Sequence, residues 1–114
     1  MGSALAGKAA LVTGASKGIG LGMARAFARE GAAVMISSRK QDALDAAAAG
    51  IVAELPDAHV TTFAANAGEP DQAEACVGAT IERLGGIDIL VNNAGTNPVM
   101  GPTIDADLDA WDKT

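Results

Sequence analysis

The chain has 114 residues, enough for one small domain, and 49% apolar against 19% charged residues mark it as a folded protein. Its net charge of −6 argues against a nucleic-acid partner, because phosphate backbones bind basic surfaces. A single cysteine, Cys76, excludes an intrachain disulfide, and no apolar stretch approaches the roughly 20 residues that span a bilayer. The first residues lack the features of a signal peptide. We therefore expect a cytoplasmic protein without a membrane or nucleic-acid partner.

Four strands and three helices alternate in the sequence pattern. The predicted ranges, in chain order and beginning with a strand, are 8–13, 18–30, 32–37, 41–55, 59–64, 70–84 and 87–91, and a further helix opens at 105. The apolar residues of the first strand run continuously rather than alternating, which is typical of a parallel sheet covered on both faces. Strands separated by helices form such sheets through right-handed crossovers. The pattern predicts one α/β domain over 1–114, a three-layer, doubly wound parallel sheet that stops after about four strands.

Apolar residues at helical spacing predict the face that each helix buries. These are Ile19, Met23 and Phe27 in the first helix, Leu44, Ala48, Ile51 and Leu55 in the second, and Ala73, Val77, Ile81 and Leu84 in the third. Cys76 lies next to the third set, and we interpret it as a small, unreactive apolar residue.

A glycine-rich loop, TGASKGIG at 13–20, joins the first strand to the first helix. Glycine permits the positive φ of a tight turn and lets a ligand approach the backbone. The free N–H groups at a helix start favour a bound pyrophosphate. A Walker A loop is excluded, since its Gly-Lys-Ser/Thr ending is absent. The loop therefore predicts a dinucleotide site, and the alternative is a tight glycine turn that binds nothing.

Two motifs together resemble the classical form of the short-chain dehydrogenase/reductase family. The first is Thr-Gly-x-x-x-Gly-x-Gly at 13–20, and the second is Asn-Asn-Ala-Gly at 92–95, directly after the fourth strand. The resemblance implies a Rossmann-type fold and hydride transfer between a nicotinamide and a small carbonyl or alcohol substrate. It also implies a homo-oligomer, either a dimer or a tetramer. It covers the whole chain, but less than half of the length usual in the family.

The resemblance also assigns cofactor-binding residues. Those around the pyrophosphate and the adenosine ribose would be Gly14, Ser16, Lys17, Gly18, Ile19 and Gly20, and those along the ribose and nicotinamide would be Asn93, Ala94 and Gly95. Asn92 would instead hold the central strands together. Near the adenine the family usually has Asp followed by an apolar residue. Here Asn66 and Ala67 take that place, and the amide of Asn66 still offers a hydrogen bond to the base.

The end of the second strand predicts which nicotinamide cofactor is bound. An NAD site places an acid about 20 residues beyond the glycines, where it accepts a hydrogen bond from the ribose 2′-OH. This sequence has Ser38, Arg39 and Lys40 there, with Lys17 in the loop, and these groups suit a 2′-phosphate. We therefore expect NADP(H) in preference to NAD(H). The alternative is that Arg39 and Lys40 are solvated residues at a helix start.

The catalytic residues of the family have no counterparts in this sequence. In the family a Tyr acts as acid/base, a Lys four residues later lowers its pKa, and a Ser polarises the substrate oxygen. This chain contains no tyrosine, so we predict no catalytic residue within it. Three interpretations remain open: the N-terminal part of a longer reductase, a short dinucleotide-binding module, and an interaction protein that keeps the fold. The apolar fourth strand favours the first, because an exposed apolar edge promotes aggregation.

Two features near the C-terminus carry no site. Asp105, Asp107 and Asp109 have the spacing of a calcium loop, but the glycine that such a loop needs is replaced by Ala110. An acid-rich helix start explains them, and we predict no metal site. Trp111 is assigned to packing in the last helix, with assembly as the alternative.

Overall fold

A computed structural model describes residues 4–66 and 68–93 of the chain. It contains four strands and three helices in strict alternation. In chain order these are β1 (Ala9–Thr13), α1 (Gly18–Arg29), β2 (Ala33–Ser38), α2 (Gln41–Glu54), β3 (Val60–Ala64), α3 (Pro70–Leu84) and β4 (Ile89–Asn92). Within the described residues the predicted order of elements is confirmed, and the predicted bounds differ from these by at most two residues; the helix predicted to open at 105 lies outside the described residues.

The four strands form one parallel sheet in the order β3-β2-β1-β4. Leu11 of β1 pairs with Met35 of β2 on one side and with Leu90 of β4 on the other. The order reverses at β1, because the chain first adds strands on one side and then crosses over to place β4 on the other. Such a reversal is the switch point at which open α/β sheets bind their ligands, at the carboxyl ends of the strands.

Helices cover both faces of the sheet and give it three layers. Alternate residues of β1 face opposite layers, since side chains of a strand alternate. Ala10 and Val12 pack in the cluster that contains Leu44 of α2, while Leu11 packs in the cluster that contains Cys76 of α3. All of these side chains are buried. The predicted three-layer, doubly wound α/β fold is confirmed.

The predicted inward face of α1 is wrong by about one residue. Ile19 is 69% exposed, while the buried positions of the helix are Gly20, Ala24 and Ala28. Met23 and Phe27 are partly buried at the edge of this face. Small residues let the helix axis approach the sheet closely, so they occupy the centre of the contact and the larger residues flank it.

The predicted inward face of α3 also needs correction. Ile81 is 49% exposed, and the buried residues are Cys76 and Thr80. The Thr80 hydroxyl donates a hydrogen bond of 2.8 Å to the carbonyl oxygen of Cys76, one turn earlier. This bond satisfies the hydroxyl and allows a polar residue to face the core. The positions of the apolar residues alone therefore predict the wrong buried face for α3.

Side chains cover the outer edge of β3. Arg83 of α3 donates to the carbonyl oxygen of Thr62 over 3.0 Å, and its guanidinium lies 5.8 Å from the centre of the Phe63 ring. Gln41 of α2 donates to the Thr62 hydroxyl. An uncovered edge strand pairs readily with other chains, so these contacts protect the sheet on that side.

Burial raises the pKa of the Cys76 thiol above its ordinary value of 9.0, although hydrogen bonds with Ser37 and Thr80 and the charge of Arg83 oppose the rise. The unfolded chain therefore loses this proton at a lower pH than the folded chain does. The thiol's contribution to stability is present in full below pH 9.0 and is lost as the pH rises further.

We therefore expect the free energy of unfolding to fall more steeply above pH 9.0 in the wild-type chain than in Cys76→Ala. Urea denaturation of both proteins at pH 8 and at higher pH measures the two slopes, and the remaining titrating groups are common to both. Equal slopes for the two proteins would contradict a raised pKa of the Cys76 thiol.

Candidate functional site at the carboxyl edge of the sheet

The carboxyl ends of the four strands meet at one edge of the sheet, as parallel pairing requires. Thr13 pairs with Asn92 and with Ser37, and Ser38 pairs with Ala64. Every described residue predicted to bind the cofactor lies at the end of one of these strands, in the segment that follows it, or in the first turn of α1. The polar groups of this edge therefore form one candidate site.

The loop after β1 is folded by its glycines. Gly14 and Gly18 have φ values of +63° and +66°, which other residues adopt only at a cost. The Ala15 N–H donates to the carbonyl oxygen of Ser37 over 3.1 Å, which ties the loop to the end of β2. The loop therefore has a defined backbone shape before any ligand is bound.

Gly20 is required by a close approach of two segments. A Cβ at this position would lie 2.8 Å from Nδ2 of Asn93 and closer still to the carbonyl oxygen of Gly14. The amide of Asn93 donates to that same carbonyl oxygen over 3.4 Å. Helix α1 thus begins in direct contact with both the glycine loop and the segment after β4.

Thr13 joins the end of β1 to the end of β4 through its hydroxyl. The hydroxyl oxygen accepts a hydrogen bond from the N–H of Asn93 over 3.0 Å and donates to Oδ1 of Asn92 over 3.1 Å. Asn92 thereby joins β4 to β1, in agreement with the strand-holding role expected of it. Thr13 was not among the residues predicted to bind the cofactor, and the signal for it in the sequence is a polar residue that ends an apolar strand.

We expect Thr13→Val to lower the free energy of unfolding by about 1–3 kcal/mol, because it leaves the Asn93 N–H without its acceptor. Thr62→Val is the control, since it removes only an exposed bond from Gln41, and its expected cost is below about 1 kcal/mol. Urea denaturation of both variants measures the difference, and equal costs would contradict the role of Thr13.

The start of α1 is open to an anion. Its first turn contains no acidic residue, and no side chain caps it. The first turns of α2 and α3 contain Asp42 and Asp71. The first N–H groups of a helix lack acceptors within the helix, and they carry its positive dipole end. The start of α1 therefore attracts negative charge.

The segments after β1 and β2 present cations that no acid of the described chain neutralises. Lys17, Arg39 and Lys40 are exposed, and within residues 4–66 and 68–93 they form no ion pair. Arg25 and Arg29, by contrast, both pair with Glu54. Lys17 lies in the loop that precedes α1, and Arg39 and Lys40 follow β2, so these three cations lie at the carboxyl edge.

Ser38 adds an unused polar group to the same place. Its hydroxyl oxygen is buried and has no hydrogen-bond partner among the described residues. Buried hydroxyls usually have a partner, so this oxygen is a candidate to contact a bound group.

Asn66 lies beyond the end of β3, next to the end of β2. The N–H of its neighbour Ala65 donates to the carbonyl oxygen of Ser38 over 2.8 Å. The N–H of Asn66 donates to Oε1 of Gln72, and the Gly68 N–H donates to Oδ1 of Asn66. Gln72 was not identified from the sequence, where it reads as an ordinary polar residue of a helix.

The structure thus gathers most of the predicted site residues at one edge. Those described are Gly14, Ser16, Lys17, Gly18, Ile19, Gly20, Ser38, Arg39, Lys40, Asn66 and Asn93. Ala67, Ala94 and Gly95 lie outside the described residues, and so do Asp105, Asp107, Asp109 and Trp111. The side chain of Asn93 is engaged with the loop itself, so its clearest role in the structure is to support Gly14.

Two cavities lie at opposite edges of the sheet. One of about 70 Å³ opens beneath the site, lined by Thr13, Ser37, Cys76 and Asn92 among others. A larger one of about 370 Å³ lies at the amino edge, between the ends of α1 and α2. Within the described part of the chain there is no cluster of metal-ligating side chains, and no helix long and apolar enough to cross a membrane.

Two solved structures of similar fold contain NADPH. The L-sorbose reductase of Gluconobacter frateurii, solved with NADPH and L-sorbose, matches 84% of this chain and 36% of its own, with a TM-score of 0.77 and 40% identity. The actinorhodin polyketide ketoreductase, solved with NADPH, matches 84% of this chain and 36% of its own, with a TM-score of 0.73 and 33% identity.

Curated relatives and a family model agree with these structures. Dehydrogenase/reductase SDR family member 4 of Oryctolagus cuniculus is 44% identical over 109 residues, which are 96% of this chain and 41% of the relative. The human protein of that name is 43% identical over 110 residues, which are 96% of this chain and 39% of the human protein. The chain thus spans about two fifths of the length of these relatives. The family model for short chain dehydrogenases matches residues 8–114, and the chain belongs to that family.

Proposed function

We propose that this chain is the NADP(H)-binding part of an oxidoreductase that acts on a small carbonyl or alcohol substrate. The observation that carries the proposal is the carboxyl edge itself. There an uncapped helix start, a glycine loop of positive φ and three unpaired cations lie together. This combination provides N–H donors for a pyrophosphate and positive charge for a further phosphate.

The described residues fit such a cofactor. The loop from Gly14 to Gly20 and the first N–H groups of α1 would hold the pyrophosphate. The hydroxyl of Ser38 and the guanidinium of Arg39 would hold the ribose and its 2′-phosphate, with Lys40 nearby. No described acid is paired with these cations, so nothing there competes with a phosphate for them.

The bound nicotinamide would supply a hydride to a carbonyl carbon, or accept one from an alcohol carbon. The chain's own contribution is to bind and orient the cofactor through the loop. Thr13 and Asn93 keep the loop in place through their hydrogen bonds. Because the sequence has no tyrosine, we assign cofactor binding to this chain and leave proton transfer to residues outside it.

The preference for NADP(H) is part of the proposal. A ribose 2′-OH is best held by a carboxylate, whereas a 2′-phosphate is best held by an arginine fork. The end of β2 offers Arg39 and Lys40 and no carboxylate. The similar structures solved with NADPH support this preference.

Titration of the chain with NADPH and with NADH, followed by nicotinamide fluorescence, tests the proposal. We expect saturable binding of both, with NADPH bound about 10–100-fold more tightly because of charge-assisted hydrogen bonds to its 2′-phosphate. Equal affinities would overturn the NADP(H) preference, and the absence of saturable binding would overturn the cofactor-binding role. A measurement of the intact mass of the natural protein distinguishes a longer reductase from a short binding module.

A further inference from the structure

The order of the strands in the sheet predicts where each part of a bound dinucleotide lies. If the pyrophosphate lies at the loop after β1 and the ribose at the end of β2, the base extends toward the end of β3, since β3 is the next strand outward. Asn66 lies at that end, one residue beyond the bond from Ala65 to Ser38. Among the described residues, Asn66 therefore offers the side-chain amide that a bound base would contact.

The orientation of the Asn66 amide follows from its surroundings. The Gly68 N–H lies 2.9 Å from one terminal atom of the side chain, and a donor must face an acceptor, so that atom is Oδ1. The backbone of the residue is fixed as well, since its N–H donates to Gln72 over 2.7 Å and its carbonyl oxygen accepts from Glu69 over 2.9 Å. The uncommitted end of the amide is the Nδ2 donor.

We infer that Asn66 makes the base subsite tolerant of a 6-oxo purine in place of adenine, an inference that rests on the proposed dinucleotide binding. Nδ2 donates either to a ring nitrogen of adenine or to the carbonyl oxygen of a 6-oxo purine. The remaining lone pair of Oδ1 accepts from an adenine 6-amino group. At the base edge formed by N7 and the 6-substituent, a 6-oxo purine presents only acceptors, so an aspartate, which has no donor, favours the 6-amino group and repels a 6-oxo group there.

The test compares NADPH with its hypoxanthine analogue, which carries the same fluorescent reduced nicotinamide. The wild-type chain is expected to prefer adenine by about fivefold or less, since Nδ2 donates one hydrogen bond to either base and only the modest net gain of the adenine amino bond separates them. Asn66→Asp is expected to raise the preference for adenine by about tenfold or more, because the carboxylate faces a carbonyl oxygen in the analogue. The Asx turn in which the Gly68 N–H donates to the side chain of residue 66 accepts a carboxylate as readily as an amide, so the variant keeps its fold.

Gln72→Glu is the matched control. It makes the same change in charge close to the subsite and keeps an acceptor for the Asn66 N–H, so it should leave the ratio of the two affinities at the wild-type value. The inference is overturned if the wild-type chain rejects the analogue by tenfold or more, or if the two variants shift the ratio alike. In either case NADPH still binds, and the proposed function stands. If neither dinucleotide binds, both the proposed function and this inference fail.

Discussion

Gly20→Ala is expected to lower the free energy of unfolding by at least about 2 kcal/mol and to abolish detectable NADPH binding. The added Cβ meets the carbonyl oxygen of Gly14 and Nδ2 of Asn93. The first of these is a backbone atom in the loop, so no side-chain rotation relieves the collision. The loop must move, and its N–H groups move with it.

Gly22→Ala is the matched control for this substitution. It lies in the same helix, and a Cβ there meets nothing within 4 Å. Alanine is favoured over glycine inside a helix, so this variant is expected to be more stable by about 0.5–1 kcal/mol. Urea denaturation and NADPH titration of both variants give the comparison. A Gly20→Ala chain as stable as the control would contradict the close approach that the structure shows.

Arg39→Glu is expected to weaken NADPH binding by about 100-fold and to leave NADH binding within a few-fold of the wild-type value. The substitution removes a guanidinium from the 2′-phosphate and places a carboxylate there, which repels a phosphate but accepts from a ribose hydroxyl. Fluorescence titration with both cofactors measures the change in preference.

Lys8→Glu controls for the change in net charge. Lys8 is exposed and lies at the amino edge of the sheet, where the larger cavity opens. The variant alters the charge of the chain by the same amount but far from the proposed ribose site. Equal losses of NADPH affinity in the two variants would assign the effect of Arg39 to long-range charge rather than to contact.

The alternation of strands and helices could be predicted from the sequence because each strand is a short run of apolar or β-branched residues bounded by turn residues. The faces of the helices could not be predicted as well. Ile19 precedes a helix face built from Gly20 and alanines, and its apolarity says nothing of how closely the backbone approaches the sheet. Thr80 is buried because one turn of helix supplies its acceptor, which a hydropathy pattern does not show.

The candidate site could be predicted in part. The glycines and the cations stand in short motifs, so their positions followed from the sequence. The bonds that link the motifs join residues about 80 positions apart, as between Thr13 and Asn93. The supporting role of Gln72 toward Asn66 likewise depends on the angle at which α3 begins, which the sequence pattern did not specify.

The central claim is that a nicotinamide dinucleotide phosphate binds at the carboxyl edge of the sheet, and amide chemical shifts of the ¹⁵N-labelled chain test it most directly. On titration with NADPH we predict saturable shifts for Gly14, Gly18 and Gly20 and for the segment 38–40. The amides that line the amino-edge cavity, such as those of Gly31 and Ala58, should not shift. Shifts confined to the amino edge, or no saturable shifts at all, would contradict the claim.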